Sequence, residues 1–219
     1  AIGKMQDISG SNGRTVLFVS HNMAAVKNLC TSLTVLENGQ SVFNGTVTEG
    51  IEFYLSNQSK LANIELKDRK DRKGTGDIRF SKIELFNEKE KLVNEFVSEE
   101  HVKFRIHLNY LNKVNFNNLV FGLVIYDLNE NKIADFYSDE MNFSISKKQD
   151  FIDLNIPKLL LRGGEYTITL VVQSNEGVIK KLDLVQNVIN FKVIPNDFWG
   201  VKKINRSTNV AILNGKFTL

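Results

Sequence analysis

Residues 102–110 constrain the fold more than any other stretch. Val102, Phe104, Ile106, Leu108 and Tyr110 alternate strictly with Lys103, Arg105, His107 and Asn109. A period of two puts the apolar side chains on one face of an extended strand and the polar ones on the other, so this strand sits in a sheet with one wet face. Its neighbours read the same way. Leu119 to Tyr126 is a near-continuous apolar run suited to the centre of a sheet, and Asn129-Glu130-Asn131-Lys132 turns it back into Ile133 to Tyr137. Ile152, Leu154 and Ile156 alternate until Pro157 stops them, since proline cannot donate to a ladder. Arg162-Gly163-Gly164 turns into Tyr166, Ile168, Leu170 and Val172; Asn175-Glu176-Gly177 turns again; Val188 to Val193 makes another strand. Ile78 and Phe80 fall out of phase with Ile83 and Leu85, so a β-bulge near Ser81-Lys82 is expected. Many short strands with turns between them mean a sandwich or barrel over residues 74–194, with no helix.

Residues 1–57 follow a different pattern. Thr15 to Val19 is short, apolar and without alternation, the pattern of a parallel strand buried on both faces. Asn22 stands at an N-cap position, and Met23, Val26 and Cys30 then recur at helical spacing. Asn38-Gly39 between two β-branched runs predicts a tight hairpin. Thr46 with Glu49 three residues on predicts a capping box, opening a helix with Val47, Ile51, Tyr54 and Leu55 on one face. Residues 58–73 lack apolar period and end in Lys67-Asp68-Arg69-Lys70-Asp71-Arg72-Lys73, which reads as a solvated linker of mixed charge. Residues 195–219 form a tail that closes in a small hairpin, Val210 to Leu213 and Lys216 to Leu219 about Asn214-Gly215. Such a hairpin needs a surface to pack on.

Bulk composition narrows the function classes. A net charge of +3 over 219 residues is too mild for a nucleic-acid binder, and the single cysteine excludes an internal disulfide framework. No apolar stretch is long enough to span a membrane and no signal-peptide pattern is present. The first residue is Ala1, so the sequence is expected to be a piece of a longer protein.

The most specific string is Gly13-Arg14-Thr15-Val16-Leu17-Phe18-Val19-Ser20-His21-Asn22-Met23. It resembles the switch region of ABC ATPases, in the version found in exporters of O-antigen and related polysaccharides. The likeness continues through Leu36-Glu37-Asn38-Gly39, Phe43-Asn44-Gly45 and Glu52-Phe53-Tyr54-Leu55. Gly74-Thr75-Gly76-Asp77-Ile78-Arg79, Phe121 to Asp127 and Leu160 to Tyr166 resemble the C-terminal β-sandwich of those subunits. The resemblance implies an α+β chain: an α/β fragment of an ABC ATPase domain (1–57), a linker (58–73), an all-β immunoglobulin-like sandwich (74–194) and the tail (195–219). It implies a peripheral place at the cytoplasmic face of the inner membrane, a membrane-spanning permease partner, a homodimer, and a sandwich that binds the exported glycan. The alternative is a sandwich that only dimerises or docks the ATPase and binds no sugar.

Under that resemblance His21 is the switch histidine of the parent protein, contacting the γ-phosphate and helping to position the attacking water, a role an imidazole donor can fill. ATP and Mg2+ belong to the parent. This sequence contains no Gly-rich Lys-Ser/Thr phosphate loop, no Walker-B-like strand ending in Asp-Glu and no Ser-Gly-Gly signature, so the chain alone is expected to be inactive and to bind no nucleotide. For the glycan the candidates are Tyr137, Gln173 and Trp199, because sugars are held by aromatic faces and planar polar groups. Phe136, Phe198, Asn175 and Lys180 are weaker candidates of the same chemistry. His101 and His107 lie about 20 Å apart along one strand and cannot share a metal. Cys30 reads as a packed, inert thiol, and the carboxylate pairs Glu99-Glu100 and Asp139-Glu140 give no reason to expect hydrolysis.

Overall fold

A computed structural model of the chain describes residues 15–20, 23–37, 39–62, 64–202 and 211–212. The chain divides into two compact units, residues 1–60 with 129–131, and residues 61–128 with 132–219.

In the first unit, helix α1 (Met23–Leu29) precedes an antiparallel hairpin, β1 (Ser32–Glu37) and β2 (Gln40–Thr46), and then helix α2 (Val47–Ala62). The capping box forms as expected: Glu49 N donates to Thr46 Oγ1 at 3.3 Å, and Thr46 N donates to the Glu49 carboxylate at 3.3 Å. Met23 and Val26 are buried, while Cys30 is half-buried. The strand expected at Thr15–Val19 does not form. Residues 15–20 have no regular structure, and Leu17 and Val19 are 90% and 89% exposed. An apolar run becomes a central strand only between two hydrogen-bonded neighbours, and the described residues place none beside it. Asn22, expected as a cap, and His21 lie outside the described residues.

The second unit is a two-layer sandwich. One layer is β3 (Ile78–Phe86), β5 (Val102–Tyr110) and β8 (Phe151–Ile156), with β5 in the centre. The other contains β4 (Glu95–Val97), β6 (Leu119–Asp127), β7 (Lys132–Tyr137), β9 (Gly164–Asn175), β10 (Ile179–Val185) and β11 (Asn190–Ile194). Its order is β4-β11-β9-β6-β7, with β10 also on β9. The long β9 pairs with β6 along one edge; its other edge is shared, the first half taken by β11 and the second by β10. The alternating residues of β5 and β3 face Leu119, Phe121, Leu123, Ile125, Ile168 and Leu170 across the core. Phe96, Phe104, Phe191 and Tyr166 form an aromatic cluster there, with centroids 5.6–6.1 Å apart. The expected bulge is present: Phe80 pairs with Leu108 and Lys82 with His107, and Ser81 is the extra residue.

The basic run before the sandwich is not solvated throughout. Leu66 is buried in the core, Arg69 is 5% exposed, and Lys73 bridges to Leu184 of β10. Arg69 donates to Asp71 at 2.6 and 2.5 Å and to the carbonyls of Leu61, Gln186 and Asn187 at 2.7–3.1 Å. Arg72 grips Asp183 through two nitrogens and also donates to the Leu66 and Phe80 carbonyls, each at 2.7 Å. Asp183, 0% exposed, further accepts from Arg79 at 3.0 Å and from Phe80 N at 2.9 Å. Each side-chain nitrogen of Arg72 and both oxygens of Asp183 have a partner, which offsets the cost of burying the pair. The crossing is tight. Gly74 has φ +121°, and a Cβ there meets the Leu182 backbone at 2.7 Å, so only glycine fits.

Two strands were not foreseen. β4 is three residues long and pairs in parallel with the distant β11. β10 carries a register shift between Lys181 and Asp183 that breaks its alternation. In the tail, Ala211 bridges to Leu161 and Ile212 N donates to Leu160 O at 3.0 Å, with Ile212 1% exposed. The rest of the expected tail hairpin lies outside the described residues.

Candidate functional site

The chain leaves β5 at Tyr110 and returns at Leu119 through a short connection that contains a 3-10 turn, Phe116–Asn118. Asn115 caps this turn, its side chain accepting from Asn117 N at 3.1 Å. Such a turn holds its side chains apart and presents them at the end of the sandwich. Lys113, Val114, Asn115, Phe116 and Asn117, with Ser146 from the β7–β8 connection, line an open groove of about 440 Å³. The groove is shallow and open to solvent.

The groove's aromatic part is anchored. Phe116 packs against Tyr110 with centroids 5.8 Å apart, and both lean on the core. The Tyr110 hydroxyl accepts from Gln149 N at 3.4 Å, and Lys148 Nζ lies 5.4 Å from the Tyr110 ring. Burial, and after it the Asp150 charge, push the Tyr110 phenol above its usual range, so the ring is neutral at any physiological pH. On the other flank Asn115 Nδ2 donates to Glu176, in the β9–β10 turn, at 3.0 Å. Asp77 accepts from Thr75 at 2.6 Å, from Asn112 at 2.8 Å and from Lys180 at 3.3 Å; these bonds hold its carboxyl down at about 2. The end of the sandwich thus offers an apolar ring, two amides, a hydroxyl and ammonium groups over a fixed frame. Those are the groups that contact a sugar's C–H face and its hydroxyls.

The residues singled out from the sequence fall in different places. Gln173 pairs with Val120, and the next residue, Ser174, pairs with Leu119, so Gln173 stands beside the groove end. Tyr137 pairs with Gly122, which in turn pairs with Val171. A Cβ on Gly122 would lie 2.6 Å from both the Tyr137 ring and a Val171 methyl; the ring lies over the glycine on the face of the sheet turned from the core. Gln173 shares that face, since β9 alternates and Leu170 and Val172 point inward. Phe136 takes the inward direction. Trp199, 46% exposed, stacks at a right angle on Phe198, and Arg162 lies 5.9 Å from its ring. Arg162 precedes β9 and Gln173 nearly ends it, about 35 Å apart along the extended chain, so Trp199, beside Arg162, stands at the other end of β9 from Gln173. The three do not share one pocket. Lys180 is engaged with Asp77.

Other clusters are structural. His107 Nε2 lies 2.7 Å from Glu84, and no group of three metal-ligating side chains exists among the described residues. Glu100 accepts from Val97 N at 2.6 Å. The wet face of β5 is richer in aromatics than its own sequence suggests. Arg105, paired with Asp153 at 2.8 Å, lies 4.1 Å from the Phe151 ring and 5.6 Å from the Phe86 ring.

The groove residues were not picked out from sequence. The signal was Asn115-Phe116-Asn117-Asn118, one aromatic among amides in a turn, which reads as a connector until its neighbours are placed.

Comparison with known proteins agrees with the architecture. The model of the Wzt C-terminal domain family matches residues 69–204. A solved crystal structure of the C-terminal domain of Wzt superposes with a TM-score of 0.55, covering 74% of this chain and 95% of that one; at 16% identity it shows a shared fold alone. Two curated relatives are ATP-binding proteins. The methionine import ATP-binding protein MetN of Myxococcus xanthus is 44% identical over 48 residues, 22% of this chain and 14% of that protein. The methionine import ATP-binding protein MetN 1 of Staphylococcus epidermidis is 22% identical over 121 residues, 50% of this chain and 36% of that protein. The chain therefore spans well under half the length of the curated relatives it matches. No helix among the described residues is long and apolar enough to cross a membrane.

Proposed function

The chain belongs to the Wzt C-terminal domain family of ABC-transporter ATP-binding subunits, and from that premise we propose that it is the back part of the ATPase subunit of a cell-surface polysaccharide exporter of O-antigen type, whose sandwich recognises the glycan to be exported. The observation that carries the recognition step is the groove at 113–117, where Phe116 stands among Asn115, Asn117, Ser146 and Lys113 at the end of a rigid sandwich. Tyr110 behind Phe116 fixes the ring's angle, and the Asn115–Glu176 bond fixes the amide, so a sugar meets preset groups and little ordering entropy is lost. Gln173 beside the groove and Tyr137 further along the same sheet face extend the surface for a second sugar residue. Trp199 belongs to a separate place, the anchoring of the tail near Arg162.

An immunoglobulin-like reading of the sandwich is supported by Tyr166. It opens β9, is buried in the core, and its hydroxyl donates at 2.8 Å to the carbonyl of Arg162, four residues upstream, in the manner of a tyrosine corner. His21, as the switch histidine, would act in the parent subunit, which would hold ATP and Mg2+. The 219 residues contain no phosphate loop. The parent would dock on a membrane-spanning permease at the cytoplasmic face of the inner membrane and work as a homodimer.

The second reading is a dimerisation or docking sandwich without a sugar site. What favours it is the tail, where Ala211 and Ile212 add to the sandwich at Leu160–Leu161; the same positions could take the tail of a second copy. Saturation-transfer NMR of the full chain against a panel of bacterial surface polysaccharides separates the two. Saturable binding of a particular polysaccharide, lost in Phe116→Ala with the fold intact, supports recognition. A folded dimer that binds no glycan, and becomes monomeric when residues 196–219 are removed, supports the docking reading.

A further inference from the structure

The two outer faces of the sandwich differ. On β6 and β9 the outward positions are closed: Val120, Val124, Thr169 and Val171 are buried, and Gly122 lies beneath the Tyr137 ring. On the three-stranded layer they are open and larger. Ile83, Leu85, Phe104, Ile106, Ile152 and Leu154 join the core, so Glu84, Phe86, Arg105, His107, Phe151 and Asp153 point out. Phe86 ends β3 and Phe151 begins β8, on opposite sides of the central strand. Both rings flank Arg105, whose guanidinium carbon lies 5.6 Å from the Phe86 centroid and 4.1 Å from that of Phe151. Two bonds of 2.8 Å to Asp153 hold the guanidinium in turn, and Phe151 is 41% exposed. Two rings around a bidentate arginine–carboxylate pair form a fixed array. Its charges are matched: Arg105 by Asp153, Lys82 by Glu84 and Lys103 by Glu90. The array therefore offers rings and hydrogen-bonding groups with no uncompensated charge.

The array continues the groove. His107 pairs with Phe151, and three residues further along β5 Tyr110 packs on Phe116. Lys103, which pairs with Phe86, is seven residues from Tyr110, about 24 Å along the strand. We propose that the outer face of β3, β5 and β8 extends the groove into a track that holds an uncharged polysaccharide over several sugar residues. The proposal rests on the glycan reading above and gives it a substrate class and a length. Phe116, Phe151 and Phe86 take the apolar faces of sugars along the chain, and the Arg105–Asp153 pair takes hydroxyls between the two outer rings. An acidic chain gains nothing from ions that are already matched, and stripping water from its carboxylates there is costly; a neutral chain carries no such penalty.

The test reads length, charge and site together. The whole chain is titrated calorimetrically with mannohexaose, laminarihexaose and chitohexaose, each against its own disaccharide, and with hexagalacturonate, at low and high salt. The expected result is that at least one neutral hexasaccharide binds about tenfold tighter than its disaccharide, equally at both salts, and that hexagalacturonate binds more weakly. Phe86→Ala with Phe151→Ala brings that hexasaccharide down to the affinity of the disaccharide and leaves the disaccharide, seated at Phe116, unchanged. Arg105→Lys keeps the charge, loses the planar fork and weakens the hexasaccharide alone. Circular dichroism verifies folding, and Arg105→Lys decides the matter if the double variant does not fold. A hexasaccharide that binds no tighter than its disaccharide, or whose affinity is unchanged in these variants but lost in Phe116→Ala, overturns the track and leaves the groove reading standing. Tighter binding of hexagalacturonate that falls with salt overturns the uncharged class. No binding of any probe overturns both the track and the glycan reading.

Discussion

Replacing Asp183 with alanine removes the acceptor on which the strap, β3 and β10 converge. Four bonds are lost at once: two from Arg72, one from Arg79 and one from the Phe80 amide. Asp183 is fully buried and the Arg72 side chain is 7% exposed, so water cannot take the carboxylate's place without opening the strap. Removing one partner of such a pair leaves an uncompensated buried charge and costs about 3–5 kcal/mol. Set against a stability of about 5–15 kcal/mol for a domain, that is a large share, and it lowers the melting temperature by about 10 °C for a unit of this size. Urea unfolding followed by circular dichroism measures the loss. Arg72→Met should cost a similar amount, because it leaves Asp183 with Arg79 and one amide alone. The double variant should then cost much less than the two single ones added, with a coupling energy above about 1 kcal/mol. A loss below about 1 kcal/mol for Asp183→Ala, or strict additivity in the cycle, would refute the view that this cluster clamps the strap to the sandwich.

Three further outcomes are expected. Tyr166→Phe should cost about 1 kcal/mol in urea unfolding, the usual worth of one buried hydrogen bond, here the one to Arg162 O. Burial raises the Tyr166 phenol to about 12, so its contribution is complete below pH 10 and lost as pH rises from there toward 12; the Phe variant should lack that alkaline loss in pH-dependent melts. Asp77, held at about 2 chiefly by its bonds from Thr75 and Asn112, contributes stability that is present above pH 4 and lost as pH falls toward 2. Asp77→Asn should flatten acid unfolding in that window, by a small amount because solvent screens the pair with Lys180. Gly122→Ala pushes a methyl into the Tyr137 ring and Val171 and should cost about 1–3 kcal/mol, visible as a lower melting temperature. An unchanged melt would mean that Tyr137 swings away freely.

What could be read from the sequence was local. The alternation of 102–110, the bulge at Ser81 and the Thr46–Glu49 capping box each depend on residues a few positions apart, and each stands in the structure where the pattern put it. β10 was missed because its bulge brings the adjacent Leu182 and Asp183 both into the interior, which cancels the period of two. β4 was missed because three residues carry no period, and its partner β11 is about a hundred positions away. The run 67–73 misled for the same reason in reverse. Charges look solvated until their partners are known, and Arg72 finds Asp183 at a separation of 111 residues.

The same limit shaped the candidate site. Aromatic residues on strands drew attention, yet a strand's outward ring lies flat on its neighbours, as Tyr137 does over Gly122. Recognition needs groups that stand off the surface and converge, and turns between strands supply that geometry. In this chain the turn at 113–118 gains its shape from contacts at three sequence distances: Asn115 to Asn117 within the turn, Phe116 to Tyr110 across the end of β5, and Asn115 to Glu176 across the sheet. Only the first is legible without a fold. A turn held by partners this far apart is fixed once the sandwich closes. The exposed side chains of such a turn can change while the core beneath stays as it is, so the turn is where the proposed glycan preference would be set.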